Sequence, residues 1–434
     1  MPSEQVRASG KVREAALTLL NHVHDRLDLR FGFELWDGTH IPQTAEPDGL
    51  RLVINGPGVL GRLIRRRKIE TVVEAWSSKE IDVAGGDLFD IVARRPDGKS
   101  RVLLKKLDKK LVAICLFRLA FGKSGRGEST GLAGRKPLVS GSSAEAIRHH
   151  YDVSNDFYRL FLDRRMVYSC AYFTDWANDL DQAQHDKLDH ICRKLRLREG
   201  DRFLDIGCGW GALVIHAAQN YGVSAHGVTL SEEQFALANE RIAEAGLQDR
   251  IRIELKPFQD LDGTFDKIAS VGMFEHVGFA NHADYFRTVR SLLRPRGAYL
   301  HHAITRKGRE SDSVFHRKPA EYRALVKYIF PGGELDHIGW SARMLEAHGF
   351  EVHDVEGLRE HYALTCRHWA KRLHGRMDEA IGHAGEARAR LWLAYLTGCA
   401  LTFERGGAYI FQTLATRRDK GPSGLPPTRA DIYR

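Results

Sequence analysis

Through the middle of the chain, short apolar runs alternate with segments of helical spacing. Arg202–Ile206, Ser224–Thr229 and Ile251–Leu255 read as strands, and 213–220 and 232–245 between them carry the apolar positions of helices. Such alternation predicts an α/β fold with a doubly wound, mostly parallel sheet, because each parallel strand pair needs a crossover helix. Upstream the pattern changes. Residues 31–36 and 50–54 predict short strands, and 59–67, after the turn Gly56-Pro57-Gly58, predicts a basic helix, which together make a small α+β domain. The intervening GKSGRGESTGLAGRKPLVSGSS is rich in Gly and Ser and has no aromatic residue, the composition of a linker. The expected division is a domain over 1–122, a linker over 123–142 and a larger domain over 143–434.

The run from Leu111 to Phe121 is strongly apolar, with Lys105, Lys106, Lys109 and Lys110 before it and Lys123 and Arg126 after it. Its length favours a buried core helix, with an in-plane position on an anionic bilayer as the second reading. The N-terminus lacks the uninterrupted apolar core of a signal peptide, and no stretch reaches the roughly 18 apolar residues of a membrane span, so any membrane contact is expected to be peripheral.

Composition narrows this little. Hydrophobic residues at 43% and charged residues at 28% are ordinary for a folded soluble chain. A formal charge of +9 favours a polyanionic partner, nucleic acid or bilayer. Six cysteines without a CxxC pair argue against a disulfide framework and a zinc site, consistent with a reducing cytoplasm. Base-stacking aromatics interleaved with basic residues, as nucleic-acid binding would need, are not recognisable.

The chemistry begins where Phe203-Leu204-Asp205-Ile206 runs into Gly207-Cys208-Gly209-Trp210-Gly211 ahead of a helix. Glycines there let the backbone turn tightly and approach a ligand, while the helix N-terminus favours an anionic group. Spacing alone leaves the ligand open.

LDIGCGWGAL, then GVTLSEEQ, then SVGMFEHVG make the chain similar to the cyclopropane-fatty-acid synthase and mycolic acid methyltransferase family. The resemblance runs from about His149 to Gln412 and is weaker over the first domain, where LWDGT and IETVVEAWSSKEIDVAGGDLFDIV look like the family's N-terminal module. It implies a Rossmann-like catalytic domain binding S-adenosylmethionine at Asp205, Gly207, Gly209 and Gly211, with Thr229, Leu230 and Gln234 beside the ribose. By the same resemblance Phe258 and Gln259 flank the adenine, and Tyr168 and Ser169 close over the methionine end. A homodimer, cytoplasmic and peripheral at the inner face of the membrane, is implied as well.

An isolated alkene is a weak nucleophile, so the electrophilic methyl must be presented in line with the π bond in a pocket without water. The transfer leaves a carbocation, and ring closure then needs a base to remove a proton from the new methyl. In the family that base resembles a bound bicarbonate, and the matching residues here are Cys170, Glu275, His302, Ile304 and Tyr362. His302 and Tyr362 can donate, Glu275 can accept, and Cys170 and Ile304 can contribute backbone amides. Cys399 matches a cysteine marked in relatives as a candidate active-site thiol; since the chemistry needs no covalent nucleophile, a packing role is expected.

Two stretches depart from the family. Relatives usually read L-H-T-I-G where this chain has His301-His302-Ala303-Ile304-Thr305, and L-P-S where it has Leu335-Asp336-His337. Altered loop geometry is expected there, which leaves methyl and methylene products open beside the cyclopropane. The acceptor implied is an unsaturated phospholipid acyl chain at an anionic membrane surface; a soluble acceptor, or a lipid carrier without catalysis, are the rivals.

Overall fold

The computed structural model describes residues 4–43, 49–66, 68–96, 98, 100–121, 154–315 and 333–433. The expected linker over 123–142 lies outside them. The chain divides into two units, Met1–Lys136 with Ala384–Thr397, and Pro137–His383 with Gly398–Arg434.

In the first unit a long helix, α1 (Glu4–Leu27), precedes a small sheet of β1 (Gly32–Leu35), β2 (His40–Ile41), β3 (Arg51–Ile54) and β4 (Ile81–Ala84), in the order β2-β1-β3-β4. Helices α2 (Pro57–Arg65) and α3 (Ile69–Ser77) connect β3 to β4, and α4 (Lys109–Phe121) packs on α1 and α2. A Cβ on Gly61 of α2 would collide with the Leu119 carbonyl of α4, so the two helices cross at a point where only glycine fits. The expectation that 111–121 is a core helix is corrected: only Cys115 and Leu119 of α4 are buried, while Ile114, Phe117 and Phe121 are 55%, 66% and 72% exposed. Among the described residues α1 and α2 cover one side of α4, and Ile114, Phe117 and Phe121 stand on another.

Residues Ala384–Thr397 fall in the stretch expected to belong to the second domain, yet they pack with the first. The buried Arg390 shows why. Its Nε donates to the Trp76 carbonyl at 2.7 Å and Nη2 to the Ile81 carbonyl at 3.0 Å, while Trp76 Nε1 donates to the Arg390 carbonyl at 2.8 Å.

The second unit is built on a seven-stranded sheet. Its strands are β5 (Arg202–Ile206), β6 (Ser224–Thr229), β7 (Ile251–Leu255), β8 (Phe265–Val271), β9 (Leu293–Arg306), β10 (Phe350–Gly357) and β11 (Ala408–Arg417). The order is β10-β11-β9-β8-β5-β6-β7, with β11 antiparallel to both its neighbours and the pairings among β5 to β9 all parallel. This is the expected doubly wound sheet. Helices α5 (Leu180–Leu195), α6 (Ala212–Tyr221) and α7 (Glu232–Glu244) contribute to one apolar layer with Leu188, Ile191, Val214 and Ala238. Helices α8 (His282–Leu292) and α9 (Ile338–Ala347) contribute to the other with Phe286, Val289 and Leu345. Helix α10 (Arg359–Gly375) belongs to this unit, and α11 (Glu386–Glu404), counted with the first unit as far as Thr397, ends in it ahead of β11. Among the described residues no helix is long and apolar enough to cross a membrane.

Candidate active site

Strand order places the ligand site before any side chain is considered. From β5 the chain moves outward to β6 and β7, then returns to lay β8 on the other side of β5. The loops leaving β5 and β8 therefore part at their carboxyl ends, and such a switch point opens a crevice. A cavity of about 390 Å³ lies there, lined from the loops after β5 (Gly207, Gly209), β6 (Thr229, Leu230), β7 (Phe258, Gln259) and β8 (Gly272, Met273).

Tyr168, Ser169, Asp205 and Gln234 complete the set of expected cofactor residues on its wall. Gly211 is the exception. It stands at φ +81° as the N-cap of α6, its Cβ position 3.3 Å from Ala238, so it serves the turn and the close packing of α6 on α7 rather than the cavity. Gly209, at φ +55°, has nothing within 4 Å of its Cβ position and leaves room for a ligand. Thr229 donates to Gln234 Oε1 at 2.7 Å, which leaves the Gln234 amide nitrogen to face a ligand, and the Ser231 hydroxyl caps α7 by accepting from the Gln234 backbone. Asp205 is 3% exposed and its Oδ1 has no partner, so burial raises its carboxyl to about 7. An unpartnered buried acceptor, a space above a glycine and a loop at a helix N-terminus fit the donor's amino-acid and nucleoside ends.

None of the five expected anion-cage residues lines this cavity. Glu275 sits in the one-turn segment Phe274–His276 after β8, and its Oε1 accepts from the Ile304 amide at 2.6 Å. The Ile304 N–H is thus engaged by Glu275 rather than offered to an anion, which corrects its expected role: it holds the carboxylate. Burial pushes Glu275 up to about 7 against that hydrogen bond, and its Oε2 has no partner. His302, two residues back along β9, is fully buried and burial holds it neutral, well below the usual imidazole range. Gln412 of β11 donates to His302 Nδ1 at 3.1 Å, so the ring proton sits on Nε2, itself buried and unpartnered.

Cys170 is fully buried and its thiol, pushed up by burial, points at the Ala171 carbonyl, 3.2 Å away. Tyr362, on α10, stays a protonated donor because burial raises its phenol, and Tyr168, Cys170, Cys366 and Cys399 are its electrostatic neighbours. Cys399 is partly buried. At Thr305 the chain is strand rather than loop: β9 continues through it to Arg306, and Thr305 is not among the positive-φ residues. Beside Thr305 the buried Asp336 accepts from the Ser341 hydroxyl at 2.5 Å.

Residues 140–413 match the family model described as mycolic acid cyclopropane synthetase. The chain belongs to this family. A probable fatty acid methyltransferase of Pseudomonas putida is 47% identical over 412 residues, 94% of this chain and 97% of that protein. The cyclopropane-fatty-acyl-phospholipid synthase of Escherichia coli strain K12 is 39% identical over 270 residues, 62% of this chain and 67% of the other. Among solved structures, the cyclopropane synthase MmaA2 from Mycobacterium tuberculosis superposes with a TM-score of 0.60 at 35% identity, covering 63% of this chain and 98% of that one. The mycolic acid cyclopropane synthase CmaA1, complexed with SAH and CTAB, gives 0.59 at 34%, covering 63% and 98%. As a member of the cyclopropane synthase family the chain is an S-adenosylmethionine-dependent methyltransferase, and the family acts on unsaturated lipid acyl chains.

Sequence reasoning missed Lys187 and Gln412. Lys187 lines the cavity and was legible as a lysine within the apolar stripe of α5, which runs Leu180, Ala183, Gln184, Lys187, Leu188, Ile191. Gln412 gave no comparable signal, since only strand pairing brings β11 beside His302.

Proposed function

We propose that this methyltransferase transfers a one-carbon unit from S-adenosylmethionine to the double bond of an unsaturated phospholipid acyl chain, with a cyclopropane as product. The observation that carries the reading is a pair of buried polar atoms without partners outside the donor cavity, Glu275 Oε2 and His302 Nε2, one acceptor and one donor; the phenol of Tyr362, held protonated, is a further donor. Ring closure needs a proton acceptor, and these residues fit the chemistry of an anion that supplies one. Bicarbonate, when bound, would be that base. Glu275, His302 and Tyr362 would hold and orient it, Gln412 would fix the imidazole tautomer, and Ile304 would fix Glu275. The burial of Glu275 and His302 favours neutral forms until a ligand arrives.

A second reading, a methyl- or methylene-branched product, is favoured by the activities for which two relatives are named. Beside the Pseudomonas putida protein stands the tuberculostearic acid methyltransferase UfaA1 of Mycobacterium tuberculosis, 33% identical over 424 residues. Mass spectrometry of lipids from cells expressing the chain separates the readings. A ring and a methylene each add one CH2, and only the methylene keeps a double bond; a methyl branch adds two further hydrogens.

For the acceptor's setting we propose an anionic bilayer, engaged by α4. Ile114, Phe117 and Phe121 recur at helical spacing on its exposed side, and the Phe117 and Phe121 rings lie 5.0 Å apart. Exposed Lys105, Lys106, Lys109 and Lys110 precede them, and Arg118 shares that side. An apolar stripe flanked by cations suits an interface of acyl chains below anionic headgroups. Vesicle sedimentation tests it: attachment should weaken with salt and with neutral lipid, whereas self-association of the chain without vesicles would show that a second copy covers the face.

A further inference from the structure

The wall of the donor cavity contains a buried cation. Lys187, on α5, is 2% exposed, lines the cavity, and donates to the Ser169 hydroxyl at 2.9 Å, its one hydrogen bond among the described residues. A buried ammonium has three donors to satisfy, and leaving one without an anion is costly. Two carboxylates stand in its field, Asp163 and Asp205. Asp163 is committed elsewhere, accepting from the Val167 amide at 2.8 Å and the Arg165 amide at 2.9 Å. Asp205 is the residue whose Oδ1 has no partner.

The same corner is held rigidly. Gln184, one turn before Lys187, donates to the Ser169 carbonyl at 2.9 Å and to the Val167 carbonyl at 3.3 Å, which fixes the backbone on both sides of Tyr168. Ser169 accepts from Lys187, so its own O–H is directed onward, and a donor that is itself hydrogen-bonded to a cation is strengthened. The cavity thus carries a cation with a polarised hydroxyl and, on Asp205, an unpartnered acceptor. A zwitterionic amino-acid group needs both.

We propose that Lys187 is a donor-binding residue: with the Ser169 hydroxyl it holds, its ammonium recognises the α-carboxylate of the methionyl end, opposite an Asp205 that accepts from the α-ammonium. Burial lowers Lys187 only to about 8, so it enters this role charged at neutral pH. The inference rests on S-adenosylmethionine as donor and is independent of the acceptor lipid.

The test compares two probes by calorimetry. S-adenosylhomocysteine carries the amino-acid end; 5′-methylthioadenosine has the same nucleoside and sulfur without it. Lys187→Met should weaken S-adenosylhomocysteine about tenfold to a hundredfold and leave methylthioadenosine unchanged. Ser169→Ala, which keeps the charge and removes the hydroxyl, should show the same selective loss at smaller size, and it decides the matter if Lys187→Met does not fold. Equal loss of both probes in a folded Lys187→Met, or unchanged S-adenosylhomocysteine affinity in either variant, would overturn the assignment and leave Lys187 a counterion for Asp163 and Asp205. A wild type that binds neither probe would instead strike the donor reading itself.

Discussion

Replacing Glu275 by glutamine separates three quantities that the site geometry ties together. Glu275 is 3% exposed, and its carboxyl lies at about 7 rather than 4.5 because burial disfavours the charge more than the Ile304 N–H supports it. Unfolded, the group ionises near its ordinary value; folded, it keeps its proton until about 7. Between those values the folded state holds the extra proton, so stability falls as pH rises, by about 3 kcal/mol once the folded group has ionised. Glutamine has no such penalty. Between about pH 5.5 and about pH 8 the wild type should therefore lose about 2 kcal/mol that Glu275→Gln retains, measured by urea unfolding of the ligand-free proteins. Asp205, also raised to about 7, titrates alike in both proteins and cancels, whereas Asp336 is raised partly by the Glu275 charge, so the difference reports Glu275 together with its coupling to Asp336. Turnover should fall on the order of a hundredfold, while S-adenosylhomocysteine affinity stays unchanged because Glu275 is not on the donor cavity wall. A variant destabilised more at pH 8 than at pH 5.5 would refute the uncompensated carboxylate, and full turnover would remove Glu275 from the chemistry.

Gly209→Val should lower S-adenosylhomocysteine affinity by on the order of a hundredfold in calorimetry, since the φ of +55° strains a branched residue and its side chain enters the cavity. Tyr362→Phe should slow turnover about tenfold, partly restored by added bicarbonate, as rates against bicarbonate concentration will show. The double change Phe117→Asp and Phe121→Asp should abolish sedimentation with anionic vesicles and leave calorimetric donor affinity intact. Arg390→Ala should destabilise the first unit by about 3 kcal/mol in urea unfolding, because the carbonyls of Trp76 and Ile81 lose a buried cationic donor.

Local order was readable from the sequence and long-range pairing was not. The strands 202–206, 224–229 and 251–255 were legible because buried parallel strands leave short apolar runs between helices. The glycine loop announced the cavity, and ten of the eleven expected cofactor residues line it. Gly211 was read into the cavity because a glycine at a loop end looks the same whether it faces a ligand or a packed helix. α4 was misassigned because apolar length alone cannot say how many of a helix's sides find a partner. Arg390 meets Trp76 across more than three hundred residues of sequence, a pairing that no local period encodes.

The most direct measurement of the central claim uses S-adenosylmethionine labelled with ¹³C in the transferred methyl, incubated with the protein and vesicles of an unsaturated phospholipid. Mass spectrometry and NMR of the lipid should place the label in the acyl chain as a ring CH2 with the original double bond gone. Label in the headgroup, or none in the lipid while a soluble acceptor is labelled, would contradict the account.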